Sequence, residues 1–176
     1  MLSIANVGGS RDAGRYYEKA DDYYTKDRSP SEWKGKAAEI LNLQGEVSLD
    51  DFKNLLEGNL PTGEKIQVAA SGHRGGSDLT FSAPKSVSMQ ALISGDLSLI
   101  DAHDHAVKQA LQYAEGLVAY RQMTNGEENK ILSKNMVAAT FRHELSRACD
   151  PQLHTHCVVL NLTQREDGQW RAMDNE

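Results

Sequence analysis

Apolar positions along the chain follow two rhythms. Where they alternate with polar residues, or run together briefly between turn formers, a strand is expected; where they recur every three or four residues, a helix is expected. Leu2 to Val7 is a short apolar run that stops at Gly8-Gly9, a strand and its turn. Ser10 can then cap a helix with Asp12 in its first turn. After Pro30, residues 31–41 read as a short helix anchored by Trp33, and Ser48 caps a second over 49–57, with Phe52, Leu55 and Leu56 on one face. Residues 59–63 form a turn, 64–70 a weak strand, and 71–77 a flexible loop carrying His73 and Arg74. Asp78 to Ser82 is strand-like, and Pro84 opens a helix running to Ile93.

The longest helical pattern covers 96–123. Leu97, Ile100, His103, Val107, Ala110, Leu111, Ala114, Leu117 and Val118 keep three-and-four spacing, and Asn125-Gly126 ends the run. A helix of that length is expected to lie across a sheet. His103 and His105 have no ligand partner at i+4 and read as surface or packing residues. The run Met136-Val-Ala-Ala-Thr-Phe is strand-like and leads into His143. Ser146, Asp150 and Pro151 are turn residues, and 154–162 is strand-like again. Trp170 and Met173 follow the turn Asp167-Gly168 and suggest a last strand, hairpinned on 154–163.

The chemistry gathers on the 143–156 stretch. His154 and His156 are two apart on a strand, so both rings point to one face, about 6 to 7 Å apart along the chain. If the two runs pair antiparallel, His143 comes beside them. One strand histidine is usually just half exposed, but three of the chain's six histidines fall on this one expected hairpin. Three imidazoles with an open position make a Lewis-acid metal site. Cys157 should point away from His156 into the core. Asp78, at a strand start, is a candidate to orient an imidazole through its second nitrogen or to help activate a tyrosine. Ser82, Lys85 and Ser86 at a helix start could hold a phosphate, and Arg142 and Arg147 flank the histidines.

The tyrosines form the second cluster. Tyr16-Tyr17 and Tyr23-Tyr24 place four of six tyrosines within nine residues. On a helix, Ala13, Tyr17, Ala20 and Tyr24 make the apolar stripe; Tyr16 and Tyr23 lie on the more polar neighbouring stripe and are better placed to present hydroxyls. A metal site beside tyrosine hydroxyls suits phosphoryl transfer: a tyrosine attacks phosphorus, a sugar hydroxyl leaves, and a phosphotyrosine link conserves the bond. Tyrosine is a weak nucleophile at its usual pKa and needs a base or metal nearby.

Composition narrows the classes. The length of 176 residues suffices for one domain with a real core. A net charge of −6 means that a nucleic-acid site would be a local patch rather than a global field. No window approaches a membrane span, and the first residues lack a signal peptide's charged and apolar regions. Two cysteines, Cys149 and Cys157, do not make a disulfide framework and fit a reducing cytoplasm.

Taken together, Tyr16-Tyr17 with Tyr23-Tyr24, Trp33-Lys-Gly-Lys, Leu55-Leu-Glu-Gly, Asp78-Leu-Thr-Phe-Ser-Ala-Pro-Lys-Ser-Val-Ser and His143 through Pro151-Gln-Leu-His-Thr-His resemble the N-terminal part of conjugative relaxases of the TraI/TrwC (MobF) type, in the HUH endonuclease superfamily. The resemblance spans essentially the whole chain. It implies an α+β fold, an antiparallel β-sheet flanked by helices (the palm-like HUH/relaxase fold), with the metal histidines on central strands. It implies that His143, His154 and His156 hold a divalent metal, Mg2+ or Mn2+, although three imidazoles alone would suit Zn2+ equally. Tyr16 would be the nicking nucleophile, Tyr23 or Tyr24 would serve a later transfer, with Tyr17 in the same cluster, and Asp78 would support the site by bonding His143 or deprotonating the tyrosine. The implied activity is site- and strand-specific nicking of single-stranded DNA at a plasmid origin of transfer, with a 5′-phosphotyrosine intermediate, during conjugation. The implied partners are that DNA, accessory relaxosome proteins and a secretion-system coupling protein. The protein would be a cytoplasmic bacterial monomer, not inserted in the membrane and carried into the recipient with the DNA. Family relaxase domains continue well past Glu176 and most carry a helicase, so 1–176 is expected to be a single, incomplete nicking domain. Two alternatives remain: a metal- and DNA-binding module without turnover, and a rolling-circle initiator, although an initiator usually places its tyrosine after the histidines.

Overall fold

The computed structural model describes residues 1–7, 30–66 and 74–174 of the chain. Its strands are β1 (Leu2–Val7), β2 (Ser31–Lys34), β3 (Gly76–Ser82), β4 (Ala119–Thr124), β5 (Glu127–Leu132), β6 (Ala138–Leu145), β7 (Pro151–Leu160), β8 (Thr163–Gln164) and β9 (Trp170–Arg171). Its helices are α1 (Lys36–Ile40), α2 (Leu49–Leu56), α3 (Lys85–Leu92) and α4 (Leu97–Leu117). Five strands form an antiparallel sheet in the order β1-β3-β7-β6-β2, flanked by the helices, which is the α+β architecture the motifs imply. No helix of the described residues is long and apolar enough to cross a membrane.

Period-two alternation sorts the sheet residues onto two faces. On the front, Val7, Trp33, Ala139, Phe141, Val158 and Leu160 pack with the face of α2 formed by Phe52, Leu55 and Leu56. Phe52 stands edge-on to Phe141 at 5.5 Å between ring centroids and lies 6.4 Å from Trp33. On the back, Ala138, Cys157 and Val159 pack with Val107 and Leu111 of α4. The sheet is therefore a middle layer, and its central strand β7 is buried on both faces over most of its length. Ser48 caps α2 as expected, accepting from the Asp51 N–H at 3.4 Å.

Three expectations are corrected. Residues 31–34 are an edge strand on β6 rather than the first turn of a helix. Gly35 makes the switch into α1: its φ is +101°, and a Cβ there would lie 2.2 Å from the Met136 carbonyl oxygen, so only glycine fits. The long helix ends at Leu117, not 123, because Val118 turns extended and β4 pairs with β5 in a hairpin. Asn125 and Gly126 both have positive φ, 55° and 85°, the two-residue type I′ turn that an Asn-Gly step favours. Residues 119–123 continue a three-and-four count by coincidence; the Asn-Gly signal was a hairpin rather than a helix stop. Finally, Gly76 and Ser77 belong to β3 rather than to a loop, and of the weak strand at 64–70 the described part shows an isolated bridge between Asn59 and Lys65.

Candidate metal centre

The antiparallel register of β6 and β7 sets His143 directly opposite His154, with His156 two residues on along the same face. The three rings cluster: centroids lie 5.3 Å apart for His143 and His154, 5.6 Å for His143 and His156, and 5.2 Å for His154 and His156. Three imidazoles sharing a tetrahedral ion through nitrogens about 2.1 Å from it would hold their centroids roughly 5 Å apart, so the spacing fits one metal ion. Among the described residues no group of three or more His, Cys, Asp or Glu has its donor atoms placed to hold a metal ion; it is the spacing of the three rings that fits one.

Two of the rings are oriented from behind. The ladder shifts register just after His143, so Gln152 and Leu153 of β7 face Glu144 alone. That β-bulge frees the Gln152 carbonyl, which lies 2.8 Å from Nδ1 of His154. A carbonyl only accepts, so Nδ1 carries the proton and Nε2 is the nitrogen with a lone pair for a ligand. His156 is held the same way by a carboxylate: its Nδ1 lies 2.7 Å from Oδ2 of Asp78. Thr80, two residues along β3, donates to Oδ1 of Asp78 at 3.4 Å and touches the same Nδ1 at 3.1 Å. A histidine whose Nδ1–H is anchored by a carboxylate or a carbonyl is the usual support for an imidazole that binds metal through Nε2.

Burial adds to this. His143 and His154 are about 5% exposed or less. Desolvation holds the His154 imidazole below its ordinary 6.5, and the neighbouring His156 pushes the same way; the Gln152 bond and Asp78 partly offset them. The net lowering favours the neutral ring, the form a metal requires. Cys157 points to the opposite face as its parity requires; burial, then Asp78, pushes its thiol up to about 12, so no thiolate competes for the site.

The structure also redirects several sequence-level assignments. Asp78 bonds His156 rather than His143, because β3 lies next to β7 and β6 is one strand further on. Arg142 turns to the back of the sheet and pairs with Asp104 of α4. The Lys85 ammonium donates to the Pro151 carbonyl at 3.0 Å, tying the start of α3 to the start of β7. Thr80 was missed, though its spacing from Asp78 on a strand was a readable signal. His103, which spacing alone assigns to packing or surface, has its Nε2 3.0 Å from Oγ1 of Thr155, between the two β7 histidines. Tyr16, Tyr17, Tyr23 and Tyr24 lie outside the described residues.

Known proteins share this arrangement of strands. The TrwC relaxase family model matches residues 10–176. The multifunctional conjugation protein TraI of Escherichia coli (strain K12) is 47% identical over 179 residues, covering 100% of this chain and 10% of TraI. The copper-bound structure of the conjugative relaxase TrwC in complex with oriT DNA is similar at a TM-score of 0.87 and 50% identity, covering 100% of this chain and 62% of that one. A metal-bound TrwC structure, also with oriT DNA, gives a TM-score of 0.89 and 46% identity over 99% of this chain and 62% of that one. The chain thus spans about a tenth of the curated relative and under two thirds of the solved ones. A match that runs from residue 10 to the last residue, with near-half identity and a common sheet, is far beyond chance likeness: this chain belongs to the TrwC relaxase family.

Proposed function

We propose that this chain is part of a relaxase domain that nicks one strand of DNA at a plasmid origin of transfer through a covalent phosphotyrosine intermediate. The observation that carries the reading is the histidine cluster, three rings with centroids 5.2 to 5.6 Å apart, two of them held through Nδ1 so that the lone pair is on Nε2. Its TrwC relatives, solved with metal and oriT DNA, support the same reading.

In this reading His143, His154 and His156 hold a divalent ion, Mg2+ or Mn2+, with Zn2+ an equal fit on ligand type alone. Such an ion, once bound, would draw charge from the non-bridging oxygens of the scissile phosphate. The remaining chemistry belongs to the chain. Tyr16 supplies the nucleophile: its phenol gives up a proton to a base, for which Asp78 is the candidate. The phenolate oxygen bonds to phosphorus and the bond from phosphorus to the 3′ oxygen breaks. The leaving oxygen takes a proton to become a 3′ hydroxyl, and the 5′ phosphate remains on the tyrosine. Tyr23 or Tyr24, in the same cluster as Tyr17, would carry the later transfer. Asp78 accepts the Nδ1 hydrogen of His156 and so orients that ring. The reading extends to relaxosome proteins and a coupling protein as partners, to a cytoplasmic monomer carried across with its DNA, and to further domains in a longer protein.

The test is incubation with single-stranded origin DNA and Mg2+, with an EDTA control, read as a covalent shift on a denaturing gel. A metal-dependent adduct that Tyr16→Phe abolishes is expected. An adduct that persists in Tyr16→Phe would overturn the assigned nucleophile, and no adduct from this chain or from one extended to the length of the solved relatives would leave a metal-binding module without turnover.

A further inference from the structure

Behind the histidine cluster, on the opposite face of the sheet, α4 makes two polar contacts where the sheet would otherwise need only apolar packing. Thr155 sits between His154 and His156 in β7 and points backwards. It is 4% exposed, and its Oγ1 lies 3.0 Å from Nε2 of His103. Next along the helix, Asp104 pairs with Arg142, which precedes His143 in β6 and faces Thr155 across the ladder. Adjacent residues of one helix therefore grip the strand positions next to all three histidines.

We infer that His103 is a positioning residue for the metal centre, acting through Thr155 to fix the spacing of the His154 and His156 rings; this rests on the metal-site reading above. Packing alone does not account for the contact. One turn and two turns further on, Val107 and Leu111 hold the same helix to the same face with apolar contacts alone. A half-buried imidazole and a buried hydroxyl lose hydration that apolar side chains would not, and what they gain is direction: a hydrogen bond fixes an atom's position, whereas apolar packing tolerates sliding. The place where direction is needed is also plain. The ladder with β6 breaks register immediately after His143, so His154 to His156 stay paired with β6 and β3 but stand at the edge of the bulge, where the ladder's constraint ends. Any tilt of Thr155 swings both flanking rings in concert. Burial keeps His103 below its ordinary 6.5, which suits a neutral ring sharing one hydrogen bond with a hydroxyl.

The experiment uses the full chain with Co2+ as the probe, reading affinity by calorimetry and geometry from the visible absorption of the bound ion. Thr155→Val keeps the side chain's shape and removes the bond; His103→Leu removes it from the helix side, so the contact is tested even if one variant fails to fold. Each is expected to weaken Co2+ binding several-fold, less than the roughly tenfold or more that a residue bonded directly to a ligand ring commands, and to shift the absorption band. Thr155→Ser should restore both. The double variant should lose no more than either single one. Affinity and band unchanged in folded Thr155→Val or His103→Leu would overturn the inference while leaving the metal site standing. A native chain that binds no Co2+, or binds it equally after His154→Ala, would overturn the metal-site reading and this inference with it.

Discussion

The two halves of β7 share one strand and one ladder, yet they do opposite work. From Cys157 to Leu160 both faces are apolar and buried, filling the front core around Phe141 and the back core against α4. From His154 to His156 both faces are polar: two imidazoles at the front and a threonine hydroxyl at the back. The first half stabilises the fold by removing apolar area from water. The second half places groups that would rather be hydrated in buried positions, and each is met by a directed partner: the Gln152 carbonyl, Asp78 or His103. The contrast shows how a sheet builds a site, using rigid apolar packing in the neighbouring residues to hold a costly polar cluster in place.

The contrast can be broken at its strongest point first. Phe141 is 2% exposed and sits at the centre of the front core. Phe141→Ala should lower stability by about 3–5 kcal/mol in urea denaturation, and a loss near zero would mean that the apolar half is not what anchors the strand. At the other half, His143→Leu should change metal-free stability by no more than about 1 kcal/mol, typical of a site where packing is kept, while metal affinity falls by more than the roughly 100-fold that a supporting residue commands. A variant that unfolds but still binds metal would reverse the assignment of roles. Asp78→Asn should weaken metal binding by about 10- to 100-fold, since the amide no longer carries the charge that fixes the His156 proton on Nδ1; unaltered affinity would show that Thr80 and the strand suffice.

The smallest effect is in the pH dependence of the metal-free protein. Burial lowers the pKa of both His103 and His154 below 6.5. Below that value the unfolded chain takes up protons that the folded one refuses, so stability rises with pH, is complete above about 6.5, and is lost as pH falls further. The melting temperature should therefore drop on acidification beyond what carboxylates account for, and His154→Gln should flatten that drop. A slope that His154→Gln leaves intact would assign the effect elsewhere.

These tests bear on what could be read from the residues alone. The sheet's central strands are legible because His154 and His156 are two apart and lead into the apolar run Val158-Val159-Leu160, and a turn-rich stretch between His143 and His154 favours antiparallel pairing. The histidine cluster was legible for the same reason. What was hidden depended on neighbours remote in sequence. The partner of Asp78 follows from strand order, which β3 and β7 reveal only once paired across 78 residues. The role of His103 depends on which face Thr155 presents to α4. Residues 31–34 and 119–123 were misread because four- to six-residue edge strands carry too few positions for a period to be told from chance, although Asn125-Gly126 marked the second as a hairpin.

The central claim is that His143, His154 and His156 bind one metal through Nε2. It is tested most directly by nitrogen-15 spectra of histidine-labelled protein titrated with Zn2+, a diamagnetic ion suited to imidazoles. The account predicts that the Nε2 signals of these three histidines, and of no others among the six, move together to metal-bound positions, while Nδ1 of His154 and of His156 keep their protons. Movement of fewer than three, or of His73, His103 or His105 instead, would contradict it.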